Sequence, residues 1–212
     1  RFVGEIIDYL DGRGVKLVVI ACNTLTVLGV DTLKGSHAFE IVGMSKGAQL
    51  VLAASSRKKI GVFATEFTIN SGAHKAAILA ADDGADVYPQ ACPKFVPLIE
   101  GEQFDGAEVR AAVAEYAAPL KAAGIDTLIL SCTHYPFIQK EIESEFGSEV
   151  TVIDPADATA QDTKTVLAAE GLLRSEGAGT LEVCFTADVE RGARIAGRVL
   201  PQGKCLFKEI KL

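Results

Sequence analysis

Two distant stretches of this sequence share one pattern. Residues 17–24 read LVVIACNT, and residues 127–134 read TLILSCTH. Each combines a short, mostly apolar run, a small residue, a cysteine and then polar residues. Short apolar runs are typical of strands buried in a parallel sheet. The pattern therefore places Cys22 and Cys132 just past the carboxyl ends of two buried strands, where open α/β sheets bind their ligands.

The rest of the chain alternates between extended and helical patterns. Strands are predicted over residues 15–20, 39–42, 60–64, 86–88, 127–130, 150–153, 180–186 and 204–208. Helices are predicted to begin at Phe2 and at Pro136, and to cover residues 25–33, 46–56, 69–81, 106–123, 157–173 and 188–198. This alternation implies parallel sheets with helices on both faces. The strands could form one doubly wound sheet, but the repeated cysteine pattern favours two related halves whose strand ends face each other.

Composition excludes several classes of protein. The 212 residues are 49% hydrophobic and 23% charged, which is typical of a folded globular protein. A net charge of −7 argues against a nucleic-acid partner, because phosphate binding needs clustered Lys and Arg. No apolar run has the roughly 18–20 residues of a membrane span, and the signal-peptide pattern is missing. We therefore expect no membrane partner and a cytoplasmic location.

The five cysteines are scattered, and we expect free thiols rather than disulfides. A buried cysteine is often only a small apolar residue. Two cysteines in matching positions are harder to explain in that way. A thiol can act as a base when ionised and as an acid when protonated. A pair on opposite sides of a substrate could remove a proton from one face of a carbon and return one to the other, which is racemisation without a cofactor.

Five ordered segments resemble the glutamate racemase family of the aspartate/glutamate racemase superfamily. They are residues 21–24 (ACNT), 61–68 (GVFATEFT), 92–101 (CPKFVPLIEG), 131–136 (SCTHYP) and 153–156 (IDPA). The resemblance runs over essentially the whole chain. It implies interconversion of L- and D-glutamate by two thiols, with neither pyridoxal phosphate nor a metal, to supply D-glutamate for peptidoglycan. Members commonly form homodimers, so a homodimer is a further expectation.

The resemblance also implies an α/β fold of two pseudo-symmetric domains, each a mostly parallel sheet flanked by helices, with the active site in the cleft between them. We expect the first domain to comprise residues 1–44 and 156–212. We expect the second domain to comprise residues 45–155.

Site residues carry over from the matching motifs. The catalytic thiols fall on Cys22 and Cys132, and His134 could assist the second thiol or bind substrate, although a histidine at a strand end is usually structural. The resemblance implies substrate contacts at Asn23, Thr24, Thr65, Thr68, Thr133 and His134. Glu100 lies in a segment that supplies an acidic residue near the cleft, and the competing interpretation is a solvated carboxylate at a helix start.

The remaining histidines and cysteines are expected to lie outside the chemistry. We interpret His37 and His74 as surface residues. Cys92 is expected to be packed rather than catalytic, and Cys184 and Cys205 are expected to lie in the core.

The sequence departs from the family at its start. Members normally begin with a strand ending in Asp-Ser-Gly, followed by a Pro-Tyr-Gly loop, and neither string occurs here. The expectation is that an N-terminal segment of the family is lacking, so its Asp, Ser, Tyr and Gly have no counterparts to assign. Ser131 stands where glycine is common, and His74 stands where an aromatic residue is common.

Three alternatives stay open. The chain could racemise aspartate or a hydantoin, although the Thr-His-Tyr-Pro run after Cys132 favours glutamate. It could bind an amino acid without turning it over, because the Asp-Ser-Gly motif is missing. A metal or redox site at Cys22, Cys132 and His134 is the weakest alternative, because the sequence has no Cys-x-x-Cys pair and no fourth ligand at a recognisable spacing.

Overall fold

The alternating pattern produces alternating helices and strands in the computed structural model, which describes residues 2–33, 35, 37–177, 179–201 and 205–212. The first part of the chain contains α1 (Phe2–Asp11), β1 (Leu17–Ile20), α2 (Asn23–Gly29), a 3-10 turn (Val30–Thr32) and β2 (Glu40–Gly43). The two strands pair in parallel, with Ile20 opposite Gly43 at their carboxyl ends.

The middle of the chain builds a larger sheet. Its elements are α3 (Ala48–Ala54), β3 (Lys59–Ala64), α4 (Glu66–Asn70), α5 (Ala73–Ala81), β4 (Asp86–Ala91), α6 (Phe95–Glu100), α7 (Ala107–Ala123), β5 (Thr127–Leu130), a 3-10 turn (Tyr135–Ile138), α8 (Gln139–Phe146), a 3-10 turn (Gly147–Glu149) and β6 (Thr151–Ile153). The strands pair in parallel in the order β4-β3-β5-β6.

The last part contains α9 (Ala156–Ala169), β7 (Leu181–Phe185), α10 (Val189–Ala196) and β8 (Cys205–Glu209). β7 and β8 pair in parallel. Within the described ranges the strands thus form three separate parallel sheets. The predicted α/β architecture is confirmed, and a single continuous doubly wound sheet does not form.

Both faces of the middle sheet are covered. Along β5, Leu128 and Leu130 pack on one face in a cluster with α6, α7 and α8, while Ile129 packs on the other face with α3 and α5. All three side chains are buried. This explains why β5 is a continuous apolar run rather than an alternating one. Burial on both faces fixes β5 rigidly, and with it the position of the residue that follows.

Several boundaries differ from the sequence expectation. The helix expected over 69–81 is two helices, because Gly72 takes the left-handed conformation (φ 66°) between α4 and α5. The sequence analysis missed α6, whose apolar residues follow Cys92-Pro93. β4 runs on to Ala91, and α9 ends at Ala169 rather than at 173. The helix expected over 25–33 continues from α2 as a 3-10 turn, and position 204 of the last predicted strand lies outside the described residues.

The expectations for four side chains were wrong. His74 is buried on α5, with 4% of its surface exposed. His37 is half-buried, because its ring stacks on Phe39 with centroids 5.0 Å apart. Cys184 and Cys205 are only half-buried, because they lie in the small β7–β8 sheet.

Burial changes the chemistry of His74. Neither ring nitrogen has a hydrogen-bond partner among the described residues. Burial, and to a smaller extent the positive charge of Lys46, lower the pKa of His74 to about 4. The ring is therefore neutral near pH 7 and packs as an aromatic side chain, which fits a position where the resembling family often has an aromatic residue.

None of the described helices is both long and apolar enough to cross a membrane.

We predict that His74→Phe makes stability less sensitive to acid. A histidine whose folded pKa is lowered costs stability as the pH falls through its unfolded value of about 6.5, because the unfolded state takes up the proton first. With a folded pKa of about 4, wild type should lose about 2 kcal/mol more than the variant between pH 7 and pH 5. Urea unfolding at both pH values measures this difference, and equal losses in the two proteins would contradict it.

Candidate active site

The first cysteine lies at the carboxyl end of β1. Cys22 caps the start of α2 in an extended conformation (φ −149°, ψ 118°). Its carbonyl accepts hydrogen bonds from the Thr26 backbone N–H at 2.9 Å and from the Thr26 hydroxyl at 2.8 Å. The same hydroxyl accepts a hydrogen bond from the Met44 backbone N–H at 2.9 Å. Thr26 therefore ties the Cys22 turn to the end of β2.

Gly43 makes this arrangement possible. A Cβ at position 43 would lie 2.7 Å from Thr26 Cγ2 and 2.9 Å from Thr26 Oγ1. Such contacts are too short for a side chain without moving Thr26. The glycine thus allows α2 to approach β2 closely and fixes where Cys22 lies.

The second cysteine lies at the carboxyl end of β5. The Ser131 backbone N–H donates to the Phe63 carbonyl at 2.8 Å, which extends the pairing of β3 and β5 to the residue before Cys132. Cys132 is buried, with 9% of its surface exposed. The Cys132 carbonyl accepts a hydrogen bond from the Tyr135 backbone N–H at 3.0 Å. The chain therefore turns directly after Cys132.

Two sets of contacts join these strand ends. The Thr133 hydroxyl donates to the Ala21 carbonyl at 3.4 Å. The hydroxyl of Thr24 lies 2.9 Å from that of Thr65 and 3.0 Å from that of Thr68, and Thr65 and Thr68 are 3.0 Å apart. Thr65 caps α4 directly after β3. The carboxyl ends of β1, β3 and β5 thus meet, although β1 belongs to a different sheet.

Two buried polar groups near the cysteines have no partner among the described residues. They are the Asn23 amide nitrogen and the Ser131 hydroxyl. Asn23 is 4% exposed and Ser131 is 1% exposed. Buried polar groups are nearly always hydrogen-bonded in folded proteins. The Asn23 amide, beside Cys22, is therefore available as a donor to a bound ligand.

His134 contacts a carboxylate rather than a thiol. Its Nε2 lies 2.7 Å from Glu100 Oε1. The other oxygen of Glu100 accepts a hydrogen bond from Arg191 Nη2 at 3.3 Å. Glu100 is the last residue of α6, so its description as a helix-start carboxylate was wrong. The structure places Glu100 beside the segment that carries Cys132.

Burial is the main influence on the pKa of the Cys132 thiol. It raises the pKa of the Cys132 thiol above its ordinary value, and the nearby Cys22 raises it further. The neighbouring backbone N–H groups of His134 and Tyr135 oppose this effect by lowering the pKa. Cys92 is packed as expected: burial raises its pKa, and its thiol donates to the Gln90 carbonyl at 3.5 Å. Cys132 is therefore protonated near neutral pH when no ligand is bound.

Among the selected residues, the structure joins Thr24, Thr65 and Thr68 by hydrogen bonds, places Thr133 against the residue before Cys22, and pairs His134 with Glu100. Sequence reasoning missed Arg191, because its partner Glu100 is far away in the chain and an arginine on an amphipathic helix carries no local signal. As to metals, no cluster of three or more His, Cys, Asp or Glu side chains suited to an ion occurs in the described part of the chain.

Known proteins match both the sequence and the fold. A family model described as Asp/Glu/Hydantoin racemase matches residues 2–163. A glutamate racemase of Lysinibacillus sphaericus (strain C3-41) is 36% identical over 214 residues, which cover 100% of this chain and 81% of that relative.

Solved structures agree with this match. Glutamate racemase isoform RacE1 from Bacillus anthracis has a TM-score of 0.85 at 32% identity, covering 93% of this chain and 74% of that chain. Glutamate racemase from Francisella tularensis subsp. tularensis SCHU S4 was solved in complex with D-glutamate. It has a TM-score of 0.81 at 26% identity, covering 96% of this chain and 76% of that chain. The fold and the sequence similarity define a racemase, which is an isomerase. The chain belongs to the Asp/Glu/hydantoin racemase family.

We predict that Cys132 reacts with iodoacetamide with a midpoint above the ordinary thiol pKa of about 8.5, because burial disfavours its thiolate. Mass spectrometry of peptides labelled over a pH series measures this midpoint for each cysteine separately. The midpoint is independent of how accessible the sulfur is, since accessibility scales the rate at every pH. A Cys132 midpoint at or below about 8.5 would contradict this account of the site.

Proposed function

We propose that this protein interconverts L- and D-glutamate without a cofactor, using Cys22 and Cys132 as the two acid–base groups. The observation that carries the proposal is the meeting of two cysteine-bearing strand ends from separate sheets. The Thr133 hydroxyl contacts the carbonyl of Ala21, the residue before Cys22, and Thr133 itself follows Cys132. The two thiols are therefore held in one region by residues adjacent to each of them.

The proposed reaction moves one proton in and one proton out. A thiolate takes the α-hydrogen as a proton, and the electron pair of the C–H bond stays on the α-carbon, spread into the carboxylate. The opposite thiol then gives its proton to the other face of that carbon. The product has the opposite hand, and the two sulfurs have exchanged protonation states. Since the reaction runs in both directions, each thiol acts as the base toward one enantiomer and as the acid toward the other.

Polar groups around the thiols fit an amino-acid ligand. The unpartnered Asn23 amide can donate to the α-carboxylate. The hydroxyls of Thr24, Thr65 and Thr68 bond one another when no ligand is present, and each can turn to donate to a substrate oxygen. Donors aimed at the α-carboxylate also stabilise the negative charge that develops as the proton leaves. Thr133 completes this set from the β5 side.

His134 and Glu100 serve the Cys132 side in this proposal. His134 lies two residues after Cys132, and its side chain bonds Glu100. The pair therefore restrains the turn that follows Cys132. His134 also offers a ring that can contact the substrate or exchange a proton near that thiol.

The choice of glutamate rests on relatives. The similar curated proteins and solved structures are named glutamate racemases, and one of those structures contains D-glutamate. We further propose, from the family resemblance, that the D-glutamate supplies peptidoglycan synthesis in the cytoplasm and that the protein acts as a homodimer.

We propose that the chain divides into two domains with the site between them. Residues 1–44 and 156–212 form the first and residues 45–155 form the second. The separate β1–β2 and β4-β3-β5-β6 sheets support this division, because each supplies one of the cysteines.

We predict that Cys22→Ser and Cys132→Ser each lower racemisation of glutamate by about 10²–10⁴-fold, because a serine hydroxyl does not ionise in this pH range. Chiral chromatography of product formed from L-glutamate and from D-glutamate measures the loss. Cys184→Ser is the matched control: it makes the same substitution in β7, away from the site, and should keep wild-type activity. Unchanged activity in either site variant, with its fold intact by circular dichroism, would contradict the two-thiol mechanism.

A further inference from the structure

Helix α10 presents arginines to the segment that carries Glu100. Arg191, Arg194 and Arg198 recur at a spacing that places them on one side of α10 and the turn after it. All three contact residues 100–104, at and just after the end of α6. The contacts join two parts of the chain that are distant in sequence.

Two of these contacts dock the helix. Arg194 donates to the Glu102 carboxylate from Nη2 at 2.7 Å and from Nε at 3.2 Å, which is a two-pronged ion pair. Glu102 takes a left-handed conformation (φ 60°), which is strained for a residue with a side chain. The Arg198 guanidinium lies 4.0 Å from the centre of the Phe104 ring. α10 is thereby fixed against the turn that follows Glu100.

The third contact leads toward Cys132. Arg191 Nη2 donates to Glu100 Oε2 at 3.3 Å, and Glu100 Oε1 lies 2.7 Å from His134 Nε2. Asp188 also faces the Arg191 guanidinium, at 3.4 Å from Nε, and so holds it from the other side. Each oxygen of Glu100 is thus committed to a different partner, and the carboxylate cannot rotate without breaking one contact.

We propose that Arg191 is a positioning residue for proton transfer at Cys132: it fixes the Glu100 carboxylate, which holds the side chain of His134 in the turn directly after Cys132. This inference rests on the proposed function, since it assigns Arg191 to one half of that reaction. It adds a residue from α10 to a site otherwise built from the ends of β1, β3 and β5.

A purely stabilising role fits these contacts poorly. The side chains of Arg191, Glu100 and His134 are 46%, 42% and 35% exposed. Ion pairs at such exposure contribute little to folding stability. These ion pairs do fix the orientation of the Glu100 carboxylate, because a guanidinium and an imidazole bound to its two oxygens define its plane.

The effect of Arg191 should be confined to one thiol. Its contacts run through Glu100 and His134 to Cys132, whereas Cys22 is held by α2 and by Thr26. A reaction that uses only Cys132 as base should therefore depend on Arg191. A reaction that uses only Cys22 should not.

Elimination from 3-chloroglutamate separates the two thiols. One thiolate takes the α-hydrogen as a proton, the electron pair of that C–H bond forms the Cα=Cβ double bond, and chloride leaves with the electron pair of the C–Cl bond. A single base suffices, and each enantiomer presents its α-hydrogen to one thiol. Cys22→Ser retains Cys132, so the enantiomer that it still processes identifies the Cys132-dependent reaction.

We expect Arg191→Gln to slow chloride release from the Cys132-dependent enantiomer about fivefold, which corresponds to the upper range for an exposed ion pair. Release from the other enantiomer should stay within about twofold of wild type. Arg191→Lys should restore part of the lost rate, because lysine keeps the positive charge but lacks the planar guanidinium with its several N–H donors. Arg110→Gln is the control, since it removes the same charge from an exposed ion pair, with Glu141, that does not involve α10. It should leave chloride release from both enantiomers within about twofold of wild type.

A ¹⁵N spectrum of labelled histidine tests the contact independently of activity. The chain has three histidines, and His134→Gln identifies the His134 signals. Arg191→Gln should shift the His134 Nε2 signal and leave those of His37 and His74 in place.

Three results would overturn the inference. They are an unchanged His134 signal, equal slowing of both enantiomers in Arg191→Gln, and no slowing of either. Failure of wild type to eliminate chloride from either enantiomer would instead overturn the proposed function, and with it the role of Arg191 at Cys132. The His134 signal distinguishes the two failures, because it reports the Arg191 contact without any turnover.

Discussion

The meeting of parallel strand ends from two sheets is the constraint on which the site depends. β1 and β5 each end in a buried apolar residue and pass directly into a cysteine turn. The Thr133 hydroxyl and the cluster of Thr24, Thr65 and Thr68 join the two edges. Without these hydrogen bonds neither sheet alone would place a second thiol near the first. Racemisation by two bases needs that second thiol, because one group must act from each face of the α-carbon.

Polar contacts around the cysteines differ between the two sides. Cys132 is buried, and His134, two residues after it, is tied to Glu100. Cys22 is half-buried and caps a short helix, with the unpartnered Asn23 amide beside it. This asymmetry gives the two thiols different surroundings. It also gives the α10 contact a specific target, because only the Cys132 side is connected to Arg191 through Glu100.

The sequence predicts the alternation of elements well, because continuous apolar runs such as β5 exist only where both faces are covered. It predicts the two cysteine turns because the same short pattern occurs twice. It misses α6, because Cys92-Pro93 obscures the start of that helix. It also misses the burial of His74, because one polar residue on a helix gives no sign that its ring is neutral and buried. It also misses Arg191, since contacts between distant surface side chains depend on how helices dock rather than on local pattern.

Exchange of the α-hydrogen with solvent tests the central claim most directly. Wild-type protein is incubated with L-glutamate and, separately, with D-glutamate in deuterated water, and proton NMR follows the α-hydrogen signal. The two-thiol account predicts that the signal is lost from both enantiomers and that deuterium appears in product of the opposite hand. Each thiol removes a hydrogen from one face, and the other returns a deuteron. Retention of the signal in either enantiomer, or exchange without inversion, would contradict the account.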